Sequence, residues 1–280
     1  GIGLLGLSYG SPALAILGFS GSLLHVLNHA IFKGLLFLGA GAVIHETGTR
    51  EIDRLGGLIK RMPATGATFV VGAAAISGLP PFNGFVSEFL IFIASFQGVL
   101  SLHGARVLLP LSVLVAMALI GSLAAACFAR VFGVVFLGTA RSDRPLRSRE
   151  AGALMRSAMI ALAVLCVLPG LFPHVAFSIV QSAACSLAGL SLSSSQQYLA
   201  APGAQANGIA LVFLILLVVA GALWALRRRL LAGREVRESV TWDCGYVQPT
   251  ARMQYTASSF AEPVLEMFSL VLPGRRFLVP

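Results

Sequence analysis

Charge is what this sequence has least of. Only 11% of its 280 residues are Asp, Glu, Lys or Arg, while 57% are hydrophobic and the mean hydropathy is +0.87. A soluble domain carries about 25% charged residues, so a water-facing globular protein is excluded and a membrane-embedded one is indicated. Acid is scarcer than base, with 11 Asp and Glu against 20 Lys and Arg, a net +9. That excess would suit nucleic acid if it were spread over one surface. Instead the Lys and Arg gather in short segments between apolar runs, which reads as a membrane-topology signal and argues against a nucleic-acid partner. The four cysteines form no CxxC: Cys127, Cys166 and Cys185 lie in apolar surroundings and Cys244 in a polar stretch. That pattern excludes a disulfide framework or a metal site built on them, and each reads as a small hydrophobe. There is no signal-peptide pattern and no opening Met. Residues 1–9 read as the end of a helix whose start lies upstream, so the chain is taken as a C-terminal fragment.

What is present is a series of long apolar runs. After a polar link at 8–12, the run 13–44 exceeds the residues needed to cross a hydrocarbon core of about 30 Å, so it tilts or projects. Its glycines suit close helix approach. A charged loop at 45–63 follows. The next run, 64–100, is interrupted by Ser77-Gly78-Leu79-Pro80-Pro81-Phe82-Asn83-Gly84. Two prolines remove two amide donors and break the helix, and such backbone at membrane depth must be buried in protein or line a cavity. A further span at 107–137 carries Arg130 near its end. A basic loop at 138–156 leads into a span at 157–171, which stops at LPGLFPH. Residues 175–190 are expected to form an interfacial helix and 191–207 an uncharged link. The last span is 208–226, stopped by Arg227-Arg228-Arg229. The tail to 280 is expected as a surface segment with a short amphipathic helix at 263–272. The segments flanking the spans alternate basic and neutral, which places the basic side, tail included, in the cytoplasm.

One stretch stands out inside the apolar run 13–44. In LLHVLNHAIFK, residues 23–33, His25, His29 and Lys33 stand four apart. On an α-helix each is offset from the last by about 40° and about 6 Å, a ladder about 12 Å long up one face. Ionisable groups at membrane depth cost about 2.5–3.5 kcal/mol each on insertion scales and are usually functional. Histidine titrates near neutral pH, so the ladder reads as a proton path. Its gaps are too long for direct hydrogen bonds and call for water. Asn28 falls on another face and reads as a packing residue. Glu88 follows the break, the arrangement in which transporters expose half-helix ends near the midplane. Arg130 reads equally as a proton-path residue and as a snorkelling anchor.

HxxxHxxxK in LLHVLNHAIFKGLLFLGAGAVIHETGTREIDRLGGL, followed by SGLPPFNGFVSEF, resembles the antiporter-like membrane subunits of respiratory complex I, of membrane-bound [NiFe] hydrogenases and of Mrp-type cation/proton antiporters. The match covers about residues 1–190. The tail, TWDCGY…RMQYTASSF, looks most like the large subunit of the hydrogenase-4 and formate hydrogenlyase group. The resemblance implies an all-α, polytopic inverted-repeat bundle, with this chain holding most of the second repeat, its one discontinuous helix and the C-terminal helices. It implies a proton relay of His25, His29, Lys33, Glu88 and Arg130, with Gly78, Pro80, Pro81 and Gly84 as the broken-helix hinge. The implied domains are a conducting part at 1–190, an extracytoplasmic linker and last crossing at 191–226, and a cytoplasmic tail at 227–280.

The implied function is proton translocation coupled to electron transfer in partner subunits. No cofactor or redox centre is expected in this chain, whose Cys and His spacing fits no iron–sulfur or haem ligation. The expected partners are other membrane subunits, peripheral redox subunits, the lipid bilayer of a bacterial or archaeal inner membrane, and protons, with Na⁺ as the alternative ion. Two rival readings stand beside it: a gradient-driven Na⁺/H⁺ or K⁺/H⁺ antiporter subunit, and an assembly scaffold that conducts nothing.

Overall fold

A computed structural model describes residues 1–234 and, beyond them, residues 254, 256, 267 and 268. The short helix expected at 263–272 and nearly all of the tail lie outside the described residues. Most of the described residues are helical. α1 (Ile2–Ser8) falls where the end of a helix was expected at 1–9. Gly3 and Gly6 let it lie against α2 (Pro12–Thr47) so closely that a β-carbon at Gly6 would strike the backbone of Ala15. α2 begins where Ser11 accepts a hydrogen bond from the Leu14 amide and Pro12 occupies the first turn, the usual start signals. It ends at Gly48, whose φ of 64° closes the last turn as few other residues do. Its 36 residues reach about 54 Å at 1.5 Å per residue, more than the bilayer core requires.

The interrupted run forms α3 (Pro63–Ile76) and α4 (Asn83–Ser101), separated by six non-helical residues at 77–82. Both descend α2 in one antiparallel sense. Gly39 meets Phe69, Leu36 meets Gly72, Asn28 bonds Asn83, His25 meets Ser87, Gly21 meets Ile91 and Leu14 meets Gly98. The two pieces are therefore one crossing broken near its middle. α5 (Leu108–Phe136) returns on the outside of the bundle, after a 3-10 turn at Gly104–Val107. A short α6 (Asp143–Arg147) lies in the basic loop.

α7 (Ala153–Leu171) and α8 (Pro173–Ala188) meet at Phe172. Here the sequence reading needs correction. The interfacial helix expected at 175–190 is α8, and Ala176, Phe177, Val180, Ala184 and Cys185 are buried in the bundle beside Leu14, Leu17 and Leu24 of α2. Its apolar residues form a packing face inside the bundle, so the break at Pro169, Gly170 and Pro173 does not turn the helix out to the interface. Gly170 sits so near the Pro81 carbonyl that no β-carbon fits between them. The α7–α8 junction therefore lies at the level of the α3–α4 break, and α7 with α8 forms a second interrupted crossing.

α9 (Leu192–Leu231) is also longer than expected. The stretch 191–207, read as a link, is its first half. Ser191 caps it by accepting from the Ser194 amide at 3.2 Å, and its Gln, Leu and Ala are good helix formers. The helix also runs through Arg227–Arg229 before ending, as cations near a C-terminus favour.

Two cores result. One, toward the basic loops, gathers Phe32, Leu35, Leu58, Met62, Phe69, Phe136 and Met159. The other gathers Ile2, Leu14, Leu17, Leu24, Leu90 and Phe177. They divide near the breaks. The two basic loops lie together: Arg141 donates to the Leu55 carbonyl at 2.9 Å, Arg144 to Gly48 at 2.7 Å, Ser142 to Arg54 at 2.7 Å, and the Gly57 amide to Leu137 at 2.8 Å. The Thr139 amide donates to Gln254 at 3.1 Å, which brings that tail residue to the same loop. At the neutral end the Arg106 guanidinium stands 5.0 Å from the Tyr9 ring.

Candidate functional site: a polar ladder beside a broken helix

The ladder forms as the spacing requires. The rings of His25 and His29 are 6.0 Å apart, and Phe32 turns its edge to both, 6.2 Å from His25 and 5.3 Å from His29. The three residues differ in surroundings. His25 is half-buried and its Nδ1 lies 3.2 Å from the Ser87 hydroxyl on α4. His29 and Lys33 face outward from the chain. The Lys33 ammonium stands 5.5 Å from the Phe37 ring, and it borders a cavity of about 310 Å³ walled by Phe69 and Ile76 of α3 and Phe128 and Val131 of α5. A charge over an aromatic face is attracted to it.

Between the ladder and the break runs a buried polar seam. Asn28, 1% exposed, donates from Nδ2 to the Asn83 carbonyl at 2.7 Å, and Asn83 returns a longer bond of 3.5 Å to the Asn28 carbonyl. This is the packing role that its face suggested. The pair ties the middle of α2 to the first residue of α4, and the Asn83 side-chain oxygen accepts from the Gly84 amide at 2.9 Å, one of the helix-start donors that lack a partner within the helix. Gly84 is needed beside it, because a β-carbon there would strike the Ala75 carbonyl at the end of α3. Glu88 is half-buried and its carboxylate folds back onto Gly78, which has φ +64° and no room for a β-carbon. Pro80 and Pro81 complete the break. Of the four hinge residues, Gly78 and Gly84 thus have specific steric reasons to be glycine.

The remaining candidate, Arg130, is half-buried on α5, with its Nε enclosed and unpartnered. Among the described residues, no hydrogen bond or ion pair joins Lys33, Glu88 or Arg130 to each other or to the histidines. The structure brings His25 to α4 and leaves the other steps without direct contact. Nor do three His, Cys, Asp or Glu gather as metal ligands among the described residues.

Two residues were missed from sequence. Ser87 looks like any serine beside a glutamate, and only its height opposite His25 gives it a partner. Glu150 accepts from the Ala64 amide at 2.7 Å and the Thr65 hydroxyl at 2.6 Å, capping the start of α3 from a loop 85 residues away. Its only signal was an acid among arginines.

A multi-pass helical bundle whose central helix carries histidine and lysine beside a crossing broken by Gly and Pro is an antiporter-like membrane subunit. Residues 2–127 match the family described as NADH:quinone oxidoreductase/Mrp antiporter, TM, and this part of the chain belongs to it. It is 37% identical to formate hydrogenlyase subunit 3 and 35% identical to hydrogenase-4 component B, both of Escherichia coli K12; each match covers the whole chain and respectively 44% and 42% of the relative. The chain thus spans less than half the length of these relatives. It is also 39% identical to Na⁺/H⁺ antiporter subunit A1 of Staphylococcus haemolyticus, over 64% of this chain and 22% of that one. Among solved structures, a chain of the membrane-bound sulfane sulfur reductase, an archaeal respiratory membrane complex, shares the fold with a TM-score of 0.68 at 24% identity, covering 94% of this chain and 42% of that one.

Proposed function

We propose that this chain is part of a proton-translocating membrane subunit of a hydrogenase-4 or formate hydrogenlyase-type oxidoreductase complex. The observation that carries the reading is the His25–Ser87 contact, which sets the ladder against the broken helix one residue from Glu88. In this reading protons pass along Lys33, His29 and His25 to Glu88, with water filling gaps that no direct hydrogen bond spans. Arg130, on the helix that walls the Lys33 cavity, biases the path electrostatically. The hinge residues Gly78, Pro80, Pro81 and Gly84 hold the break open. Electron transfer in peripheral redox subunits supplies the drive. The conducting part is 1–190. Residues 191–226 rise from the extracytoplasmic side to the last crossing, and 227–280 form a tail on the cytoplasmic side with the basic loops.

Similarity over the whole chain favours the hydrogenase-type relatives, since the antiporter subunit matches only about two thirds of it. His29 and Lys33 face outward, and a charge facing lipid is costly. Their face of α2 is therefore assigned to further protein of the same complex, while lipid covers the outer side of α5 and α9. A bacterial or archaeal inner membrane is the proposed location.

The test is Glu88→Gln in the assembled complex, reading protons translocated per electron. The ratio falls if Glu88 carries protons, and an unchanged ratio removes it from the path. Na⁺/H⁺ exchange by the complex under an imposed gradient, without electron transfer, would instead favour the antiporter reading.

A further inference from the structure

The Ser87 hydroxyl has a choice of acceptors. His25 Nδ1 lies 3.2 Å away, the Gly84 carbonyl 2.9 Å and the Asn83 carbonyl 3.5 Å. The hydroxyl holds one proton and donates one bond, while its lone pairs accept others. The state of the histidine ring decides where that proton points. With the ring neutral and its proton on Nε2, Nδ1 is an acceptor and draws the Ser87 proton. With a proton on Nδ1, the ring donates to Ser87 Oγ, and the hydroxyl proton turns to the carbonyls of its own helix.

Those carbonyls sit at a sensitive place. Gly84 lies in the first turn of α4, and its carbonyl is the helical acceptor for the Glu88 amide by the i to i−4 pattern. The Asn83 carbonyl already accepts from Asn28. A serine that bonds back to the i−3 or i−4 carbonyl lengthens or bends the turn it sits on. Here that turn is the one between the break and Glu88, and the Glu88 carboxylate rests on Gly78 across the break.

We propose that Ser87 is a positioning residue that couples the two elements. Its hydroxyl bond is handed between His25 Nδ1 and the Gly84 carbonyl, so a proton arriving on the ladder changes the first turn of α4 and the seat of Glu88. No covalent bond is made or broken beyond the proton exchange on His25. The inference rests on the relay reading above, and it adds the part that links ring to break.

The experiment compares Ser87→Ala, Ser87→Thr, His25→Gln and the double variant Ser87→Ala/His25→Gln in the full complex, reconstituted in vesicles. The readout is protons translocated per electron, a ratio that does not depend on how much complex assembles. The expected result is a lowered ratio for Ser87→Ala, recovery in Ser87→Thr, and a double variant no lower than His25→Gln alone. A normal ratio in Ser87→Ala beside a lowered one in His25→Gln overturns the coupling and leaves the relay standing. Normal ratios in both overturn the coupling and remove His25 from the relay as well. A Ser87→Thr variant as impaired as Ser87→Ala, or additive losses in the double variant, also overturns the coupling. If Ser87→Ala does not assemble, Ser87→Cys, whose thiol is a weak donor, replaces it in the same comparison.

Discussion

α2 and α9 are the two longest helices, 36 and 40 residues, and they are built on opposite plans. α2 is packed by α1, α3, α4, α7 and α8. It carries two histidines, a lysine and a buried asparagine through the middle of the bundle. α9 rests on α8 through Ser195, Leu199 and Gly203, but almost every side chain from Leu211 to Leu231 is exposed, and it holds no charge until Arg227. Polar groups in a membrane helix survive where neighbours bond to them or enclose them. Where no protein neighbour exists, the helix is apolar all round, as lipid requires. The same contrast divides α2 itself, between the enclosed Asn28 face, whose amide nitrogen is bonded to α4 while Oδ1 is buried without a partner, and the His29–Lys33 face that is open.

The sharpest way to break the contrast is to give α9 a charge. Ile215→Lys, on the exposed apolar half, is expected to cost about 2.5–3.5 kcal/mol of insertion free energy, read as a fall in the membrane-inserted fraction. Retained insertion would mean that this half of α9 is not lipid-facing. Next is Gly170→Ala, which drives a β-carbon into the Pro81 carbonyl where the two breaks meet. About 1–3 kcal/mol of lost stability is expected, seen as a lower unfolding temperature in detergent. Glu150→Ala removes the distant cap of α3 and should cost about 0.5–2 kcal/mol in the same assay. The smallest effect belongs to Gly221→Ala on α9, where the new methyl meets nothing. Replacing an unpacked helical glycine should be neutral or stabilise by up to about 1 kcal/mol. Equal losses at Gly170 and Gly221 would erase the difference between a packed and an unpacked helix.

The ladder and the break were legible in the sequence because both are rare events in apolar runs. A helix that merely faced lipid would carry neither three ionisable residues four apart nor Pro80-Pro81 between glycines. That the two basic loops share one end of the bundle was legible from charge, and they do interlock. The sequence could not reveal what the arginines hold. Arg141 and Arg144 were topology signals, yet each donates to a backbone carbonyl 86 or more residues away. The role of α8 was hidden for a related reason: Pro169, Gly170 and Pro173 interrupt an apolar run in the same way whether the next helix leaves the bundle or continues through it. Ser87 and Glu150 needed partners from other elements before they could be told from ordinary surface residues. The length of α9 was obscured by the uncharged Ser and Gln at its start, which read as a loop until Ser191 is seen capping them.

Lys33→Leu in the assembled complex puts the central claim to its most direct trial. Leucine removes the ammonium and leaves a shorter apolar side chain that favours helix about as well, and position 33 is exposed, so the helix remains inserted and packed. Protons translocated per electron should fall toward the level of an uncoupled complex while electron transfer continues. A ratio equal to that of the unmodified complex would show that the ladder carries no protons.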